Sequence, residues 1–312
     1  MTAGRLPLPA IGPAVIMLGV FDGVHVGHRH LVSATIHAAT LREAVSVALV
    51  FRPHPEEVIR PGTIIPRLLP PSLTLERLRG AGIDHAIEVQ FDEALRSLTP
   101  EAFLAALAPA IALRGLTMTP DSSFGHRRAG TLARVTDIGR KRGFDAIGVE
   151  PLLVGGAPVS SSRVRLALGE GDIPAATDLL LAPPLLRGIV IHGERRGREL
   201  GFPTANLEFD YAPALPALGI YLGRVSVPER GVGPGHPALV SVGVRPTFHD
   251  DGRVLVEVYL IDWDGDLYDA TLEVELLARL REERRFADVA SLVEQMRADE
   301  AEARRRIAAD GG

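Results

Sequence analysis

A chain of 312 residues is long for one core and ample for two domains. Its 46% hydrophobic and 23% charged residues read as globular, and a net charge of −5 argues against nucleic-acid binding across the whole surface, so any polyanion must meet local positive charge. The absence of cysteine removes disulfides, thiolate nucleophiles and thiolate zinc sites. The N-terminus carries no basic-then-apolar signal pattern and no apolar run approaches ~20 residues, so a cytoplasmic protein with no membrane partner is expected.

The first half alternates short apolar runs with longer amphipathic ones. Strands are expected at 15–20, 45–51, 85–89, 114–118 and 146–149, and helices at 28–39, 73–81, 100–107 and 132–142. Thr99-Pro100-Glu101 marks one helix start, with proline at the first position. This alternation implies an α/β, doubly wound parallel sheet with helices on both faces and ligands beyond the carboxyl ends of the strands.

At such an end stands Gly19-Val20-Phe21-Asp22-Gly23-Val24-His25-Val26-Gly27-His28. Its glycines let backbone approach a ligand, and free N–H groups at a helix start favour an anion. His25 and His28, three apart, face one way on a first helical turn and suit oxygens whose charge grows as phosphorus is attacked. The same pair would also suit a core position or, with His54, a metal. Three further segments converge on that edge: the proline-fixed 51–55 turn with His54, the 121–130 loop with Asp121, Phe124 and basic residues, and Ser160-Ser161-Ser162-Arg163-Val164-Arg165. Three hydroxyls opening a helix make a cap and a phosphate cradle, and arginines there oppose the helix dipole unless an anion is bound.

Pro183-Pro184 marks the expected boundary between domains 1–183 and 184–312. Six closely spaced strands then follow, at 186–192, 204–208, 219–227, 238–242, 254–261 and 271–277, with turns at 228–235, 249–252 and 264–266. They suggest a small antiparallel β-barrel. A terminal helix has Val289, Leu292, Val293 and Met296 as a stripe to pack on a core, and 298–306 as a solvated charged face. Between the first two barrel strands, Gly193, Gly197 and Gly201 recur among arginines, a loop able to wrap phosphates. Thr204 and Asn206, two apart, point to one side and suit Mg²⁺ that already carries phosphate and water. Strand alternation turns Glu257 away from Val256 and Val258, either as an exposed glutamate or as a base for an alcohol attacking a γ-phosphate.

Over nearly its whole length the chain resembles the bacterial bifunctional riboflavin kinase/FAD synthetase family. The first half carries the 19–28 motif, Pro53-His54-Pro55 and the serine–arginine run. The second carries Pro203-Thr204-Ala205-Asn206, Gly219-Ile220-Tyr221, 243–248, Val256-Glu257-Val258, 262–268 and 281–286. The resemblance implies phosphorylation of riboflavin by ATP to FMN in the barrel module, then adenylylation of FMN to FAD, with pyrophosphate released, in the N-terminal module. It implies Glu257 as base, Thr204 and Asn206 at Mg²⁺, Gly193, Gly197, Arg198, Gly201, Pro203 and Tyr268 on the kinase's ATP, and Arg281, Arg284 and Phe286 over its flavin. In the adenylyltransferase it implies His25 and His28 at the transition state. Gly19, Phe21, Asp22, Gly27, Ser160, Ser161 and Arg165 would hold ATP there, with His54, Asp121 and Phe124 at the flavin. Thr119, Ser122 and Arg52 depart from the family pattern, where glycine, an aromatic and aspartate are usual. Ser122 and Arg52 motivate one other reading, a working kinase whose N-terminal half serves another nucleotidyl acceptor; a second is a non-catalytic flavin-sensing regulator built from the same modules.

Overall fold

The computed structural model describes residues 6–193, 200–244 and 254–310. It packs as two compact units: residues up to 65 with 71–161, and 66–70 with residues from 162 onward.

In the first unit, β1 (Gly12–Gly19), β2 (Val45–Arg52), β3 (His85–Gln90), β4 (Ile111–Met118) and β5 (Asp145–Gly148) form one parallel sheet in the order β3-β2-β1-β4-β5. The helices are α1 (Val26–Thr40), α2 (Pro55–Ile59), α3 (Pro71–Gly80), α4 (Glu93–Arg96), α5 (Pro100–Leu107) and α6 (Leu132–Arg142). Successive β1 residues serve opposite faces. Ala14 and Ile16 join Leu104, Leu107, Val135 and Ile138 of α5 and α6, while Val15 meets Ala38 and Ala39 of α1. Burial on both faces is what a doubly wound sheet requires, and each fully buried aliphatic side chain contributes roughly 1.5–3 kcal/mol. Thr35 and Thr117 hydroxyls, 2.6 Å apart, tie α1 to β4. The order reverses at β1, so the loops after β1 and β4 open a crevice at one sheet edge. The 53–55 turn proves to be a helix start, with His54 as the cap of α2. After β5 come a small hairpin, β6 (Leu153–Val154) and β7 (Ala157–Pro158), and then α7 (Ser161–Glu170), whose first residue closes the first unit.

The second unit continues with α8 (Ile173–Leu180), capped by Asp172 accepting from Ala175 N–H at 3.0 Å. Six strands follow: β8 (Leu185–Ile191), β9 (Ala205–Glu208), β10 (Gly219–Val227), β11 (Val232–Val244), β12 (Val254–Leu260) and β13 (Thr271–Glu282). They close a barrel in the order β10-β11-β12-β9-β8-β13. Tyr221, Val240, Val242, Val256, Val258 and Val274 are fully buried. The expected turn over 228–235 is shorter: Gly231 at φ 73° reverses the chain, and β11 is already paired at Val232 with Val227. A register shift between Val225 and Val227 accommodates this proline- and glycine-rich strand start.

The terminal helix α9 (Val289–Asp310) departs from the expected stripe. Val289 is exposed, and Leu292 and Met296 line a cavity. Packing comes instead from Ala303 and Ile307, against Leu222, Leu239 and Ile261 on the barrel's outer wall. Nor is 298–306 uniformly solvated: Asp299 is buried, because Arg281 of β13 pairs with it at 2.7 Å and Gln295 donates to it at 2.9 Å.

Candidate active sites

In the first unit the chain leaves β1 through three left-handed residues, Phe21 (φ 53°), Gly23 (φ 82°) and Val24 (φ 43°), and enters α1 at His25. The turn folds the Phe21 ring back over Gly19, where a Cβ would lie 3.0 Å from the ring. His25 is buried and caps α1: its Nδ1 accepts from His28 N–H at 3.2 Å. Neutral His25 therefore carries its proton on Nε2, a donor suited to an anion. The His28 ring stacks on His25 with centroids 3.6 Å apart and meets Phe21 edge-on at 5.3 Å. A Cβ at Gly27 would press on the His25 ring and Val159, each at 3.3 Å. Ser161 Oγ donates to Asp22 O at 3.0 Å, which brings the serine run to the motif.

The His28 ring is half-buried, and its Nδ1 is buried without a hydrogen bond among the described residues. Burial first, then the neighbouring His25, holds the His28 pKa well below 6.5. The unfolded chain thus takes up a proton that the folded one refuses, so folding stability is full above about pH 6.5 and falls as pH drops below it. Urea denaturation of wild type at about pH 7.5 and about pH 5.5 is expected to show this loss, and His28→Gln to reduce it.

Other residues expected at this edge have structural duties. His54 Nδ1 accepts from Glu56 N–H at 3.1 Å, and Glu57 closes the capping box. Phe124 packs on Phe103, centroids 5.4 Å apart, and Asp121 stands in the turn before it. Arg52 pairs with Glu88 at 2.9 Å and donates to Pro71 O at 2.6 Å. Arg165 belongs to the second unit, its Nε donating to Pro66 O at 2.7 Å.

Among the described residues of the second unit, a pair of cavities share one lining residue. One, of about 370 Å³, lies between the barrel's outer wall and α9 and is lined by Thr204, Asn206, Glu257, Arg281, Arg284 and Phe286 among others. Glu257 pairs in register with Asn206 of β9 on one side and Ser241 of β11 on the other. The second cavity, of about 450 Å³, is lined by Pro203, Thr204, Trp263, Asp264, Asp266 and Tyr268, with His192 against the Tyr268 ring at 3.8 Å. Thr204 faces both. Gly201 sits at φ 86°, and Gly193 lies so near Asn206 that a Cβ there would be 2.2 Å from Nδ2. Gly197 and Arg198 lie outside the described residues. Among the described residues no three His, Asp or Glu side chains cluster as a metal site. The side chains of Thr204 and Asn206 engage no hydrogen-bond partner there.

The FAD synthetase family model matches residues 9–163, and the riboflavin kinase model matches residues 180–307. The bifunctional riboflavin kinase/FMN adenylyltransferases of Pseudomonas fluorescens and Escherichia coli (strain K12) are 35% and 33% identical to this chain, covering 93% of it and 92% and 91% of themselves. The chain belongs to the bifunctional riboflavin kinase/FMN adenylyltransferase family. A crystal structure described as a macrolide-efflux protein from Streptococcus pneumoniae matches with a TM-score of 0.85 at 30% identity, over 96% of this chain and 95% of that one. That likeness carries the two-part fold and not an efflux activity. Among the described residues no helix is long and apolar enough to cross a membrane.

Of the residues expected for the kinase, Thr204, Asn206, Glu257, Arg281, Arg284 and Phe286 line one cavity and Pro203, Thr204 and Tyr268 the other, while Gly193 and Gly201 line neither. Sequence reasoning missed Ser241, Met296 and Asp299 on one cavity and Trp263 and Asp266 on the other. For Ser241 the signal was present, since it falls on the same strand face as Leu239, but only the pairing of β11 with β12 sets it opposite Glu257.

Proposed function

We propose that the family's two reactions run at the two centres described above. In the second unit, the terminal ribityl hydroxyl of riboflavin attacks the γ-phosphorus of ATP, Glu257 takes the hydroxyl proton, and FMN and ADP result. In the first, a phosphate oxygen of FMN attacks the α-phosphorus of a second ATP, giving FAD and pyrophosphate. The observation that carries the kinase assignment is Thr204 on the wall between two cavities, with Asn206 and Glu257 paired beside it. The cavity under α9, with Phe286, Leu292 and Met296, suits an isoalloxazine ring, and the one with Trp263 and Tyr268 suits a nucleotide.

Thr204 and Asn206, whose side chains have no hydrogen-bond partner among the described residues, fit Mg²⁺ that keeps phosphate and water ligands. The ion would neutralise charge on the transferring phosphoryl group. Glu257 then needs only to lie within reach of the attacking hydroxyl, while Arg284 and Phe286 cover the flavin. In the first unit, His25 Nε2–H and His28 meet growing charge on the α-phosphate, and Gly27 and Ser160 keep side chains small along the phosphates' path. No covalent intermediate is needed at either centre. We place the functional boundary at residues 183 and 184, in line with family matches that end at 163 and begin at 180. A chain without cysteine suits a cytoplasmic setting.

Arg52 is held by Glu88 and Pro71, and Ser122 Oγ donates to Thr119 O at 2.8 Å, so the departures in sequence fall on residues with structural contacts. Family membership across both halves favours the bifunctional reading over another nucleotidyl acceptor or a non-catalytic sensor. Incubation with riboflavin, ATP and Mg²⁺, followed by chromatography, is expected to give FMN and then FAD. Accumulation of FMN alone would remove the adenylyltransferase assignment, and recovery of riboflavin alone the kinase one. Gly193→Ala, which forces the Asn206 amide aside, is expected to slow FMN formation about tenfold or more and to leave FAD formation from supplied FMN unchanged.

A further inference from the structure

We propose that Ser241 is a specificity-determining residue of the kinase centre, holding a secondary hydroxyl of the ribityl chain while Glu257 takes the proton of the terminal one. This rests on the kinase reading above and goes beyond it by naming what recognises the middle of the substrate.

The register carries the first part of the argument. Asn206, Glu257, Ser241, Ile220 and Arg281 are successive partners on five neighbouring strands, β9, β12, β11, β10 and β13. All five line the same cavity. Neighbouring strands lie about 4.8 Å apart, so Ser241 stands one spacing from Glu257 and Arg281 about 14 Å away. The row is thus a ruler: a carboxylate and an amide at one end, and a guanidinium facing Phe286, 5.8 Å from its ring centroid, at the other. A substrate with its reacting hydroxyl at Glu257 and its planar ring toward Phe286 must lay the connecting chain over Ser241 and Ile220.

The second part is the state of the hydroxyl. Ser241 is half-buried, and its side chain makes no hydrogen bond or ion pair among the described residues. A serine kept for the strand alone would be satisfied by a backbone carbonyl or open to bulk water. Here the hydroxyl faces a cavity that the substrate fills, and filling it strips its water. That costs free energy unless the substrate returns a hydrogen bond. A polyol chain can do so at Ser241 and present carbon to Ile220 beside it.

The test compares riboflavin with an analogue whose side chain is a plain pentyl alcohol, keeping the ring and the terminal hydroxyl but lacking the secondary hydroxyls. Ser241→Ala is expected to lower kcat/KM for riboflavin about three- to tenfold and to change that for the analogue by less than about twofold. Equal losses on both substrates, or no loss on riboflavin, would overturn the proposal. Failure of the kinase reading registers separately, because wild type would then phosphorylate neither flavin.

Discussion

Glutamine at position 257 is expected to lower FMN formation by about 10²- to 10⁴-fold, the range for removal of a positioned general base. The substitution keeps the side chain's shape and leaves the strand pairing of position 257 with Asn206 and Ser241 intact, so the barrel should persist. What it removes is the ability to accept a proton as the hydroxyl attacks. The loss should therefore fall on kcat more than on KM for either substrate. FAD formation from supplied FMN, the work of the other unit, should stay at the wild-type rate. Single-turnover measurement of FMN would decide the matter; a loss confined to KM for riboflavin would make Glu257 a binding group and not the base.

The reverse split is expected for His28→Ala. FAD formation from FMN and ATP should fall about 10²- to 10³-fold, the scale of removing one donor aimed at developing charge. FMN formation from riboflavin should be untouched. His28 is a cleaner probe than His25, whose Nδ1 caps α1, so that its loss would also unsettle the helix start. Among the described residues His28 Nδ1 makes no hydrogen bond, and the ring contributes stacking on His25 and an edge contact with Phe21. A thermal melt of the variant separates lost packing from lost chemistry. Comparable damage to both reactions would argue against two separable centres.

Features set by near neighbours along the chain were legible without coordinates. Alternation over 254–260 turns Val256 and Val258 inward and Glu257 outward, and the barrel keeps that arrangement. The turn into α1 was legible for the same reason, since glycines and histidines within ten residues define it. What sequence could not supply was pairing across strands. Nothing near Ser241 says that it faces Glu257, because register depends on how β11 and β12 meet. The terminal helix was misread in an instructive way: a charged run hid the buried Asp299, whose partner Arg281 lies 18 residues earlier on another element. The apolar residues Leu292 and Met296, taken for core, line a cavity instead. Periodicity reports which residues avoid water, and a ligand cavity satisfies that as well as a core does.

A single threonine lining both chambers, the one proposed for flavin and the one proposed for nucleotide, would make each ligand part of the other's surroundings. Thermodynamic reciprocity then fixes one relation in advance: by whatever factor a nucleotide tightens or loosens the hold on riboflavin, riboflavin must alter the hold on that nucleotide by the same factor.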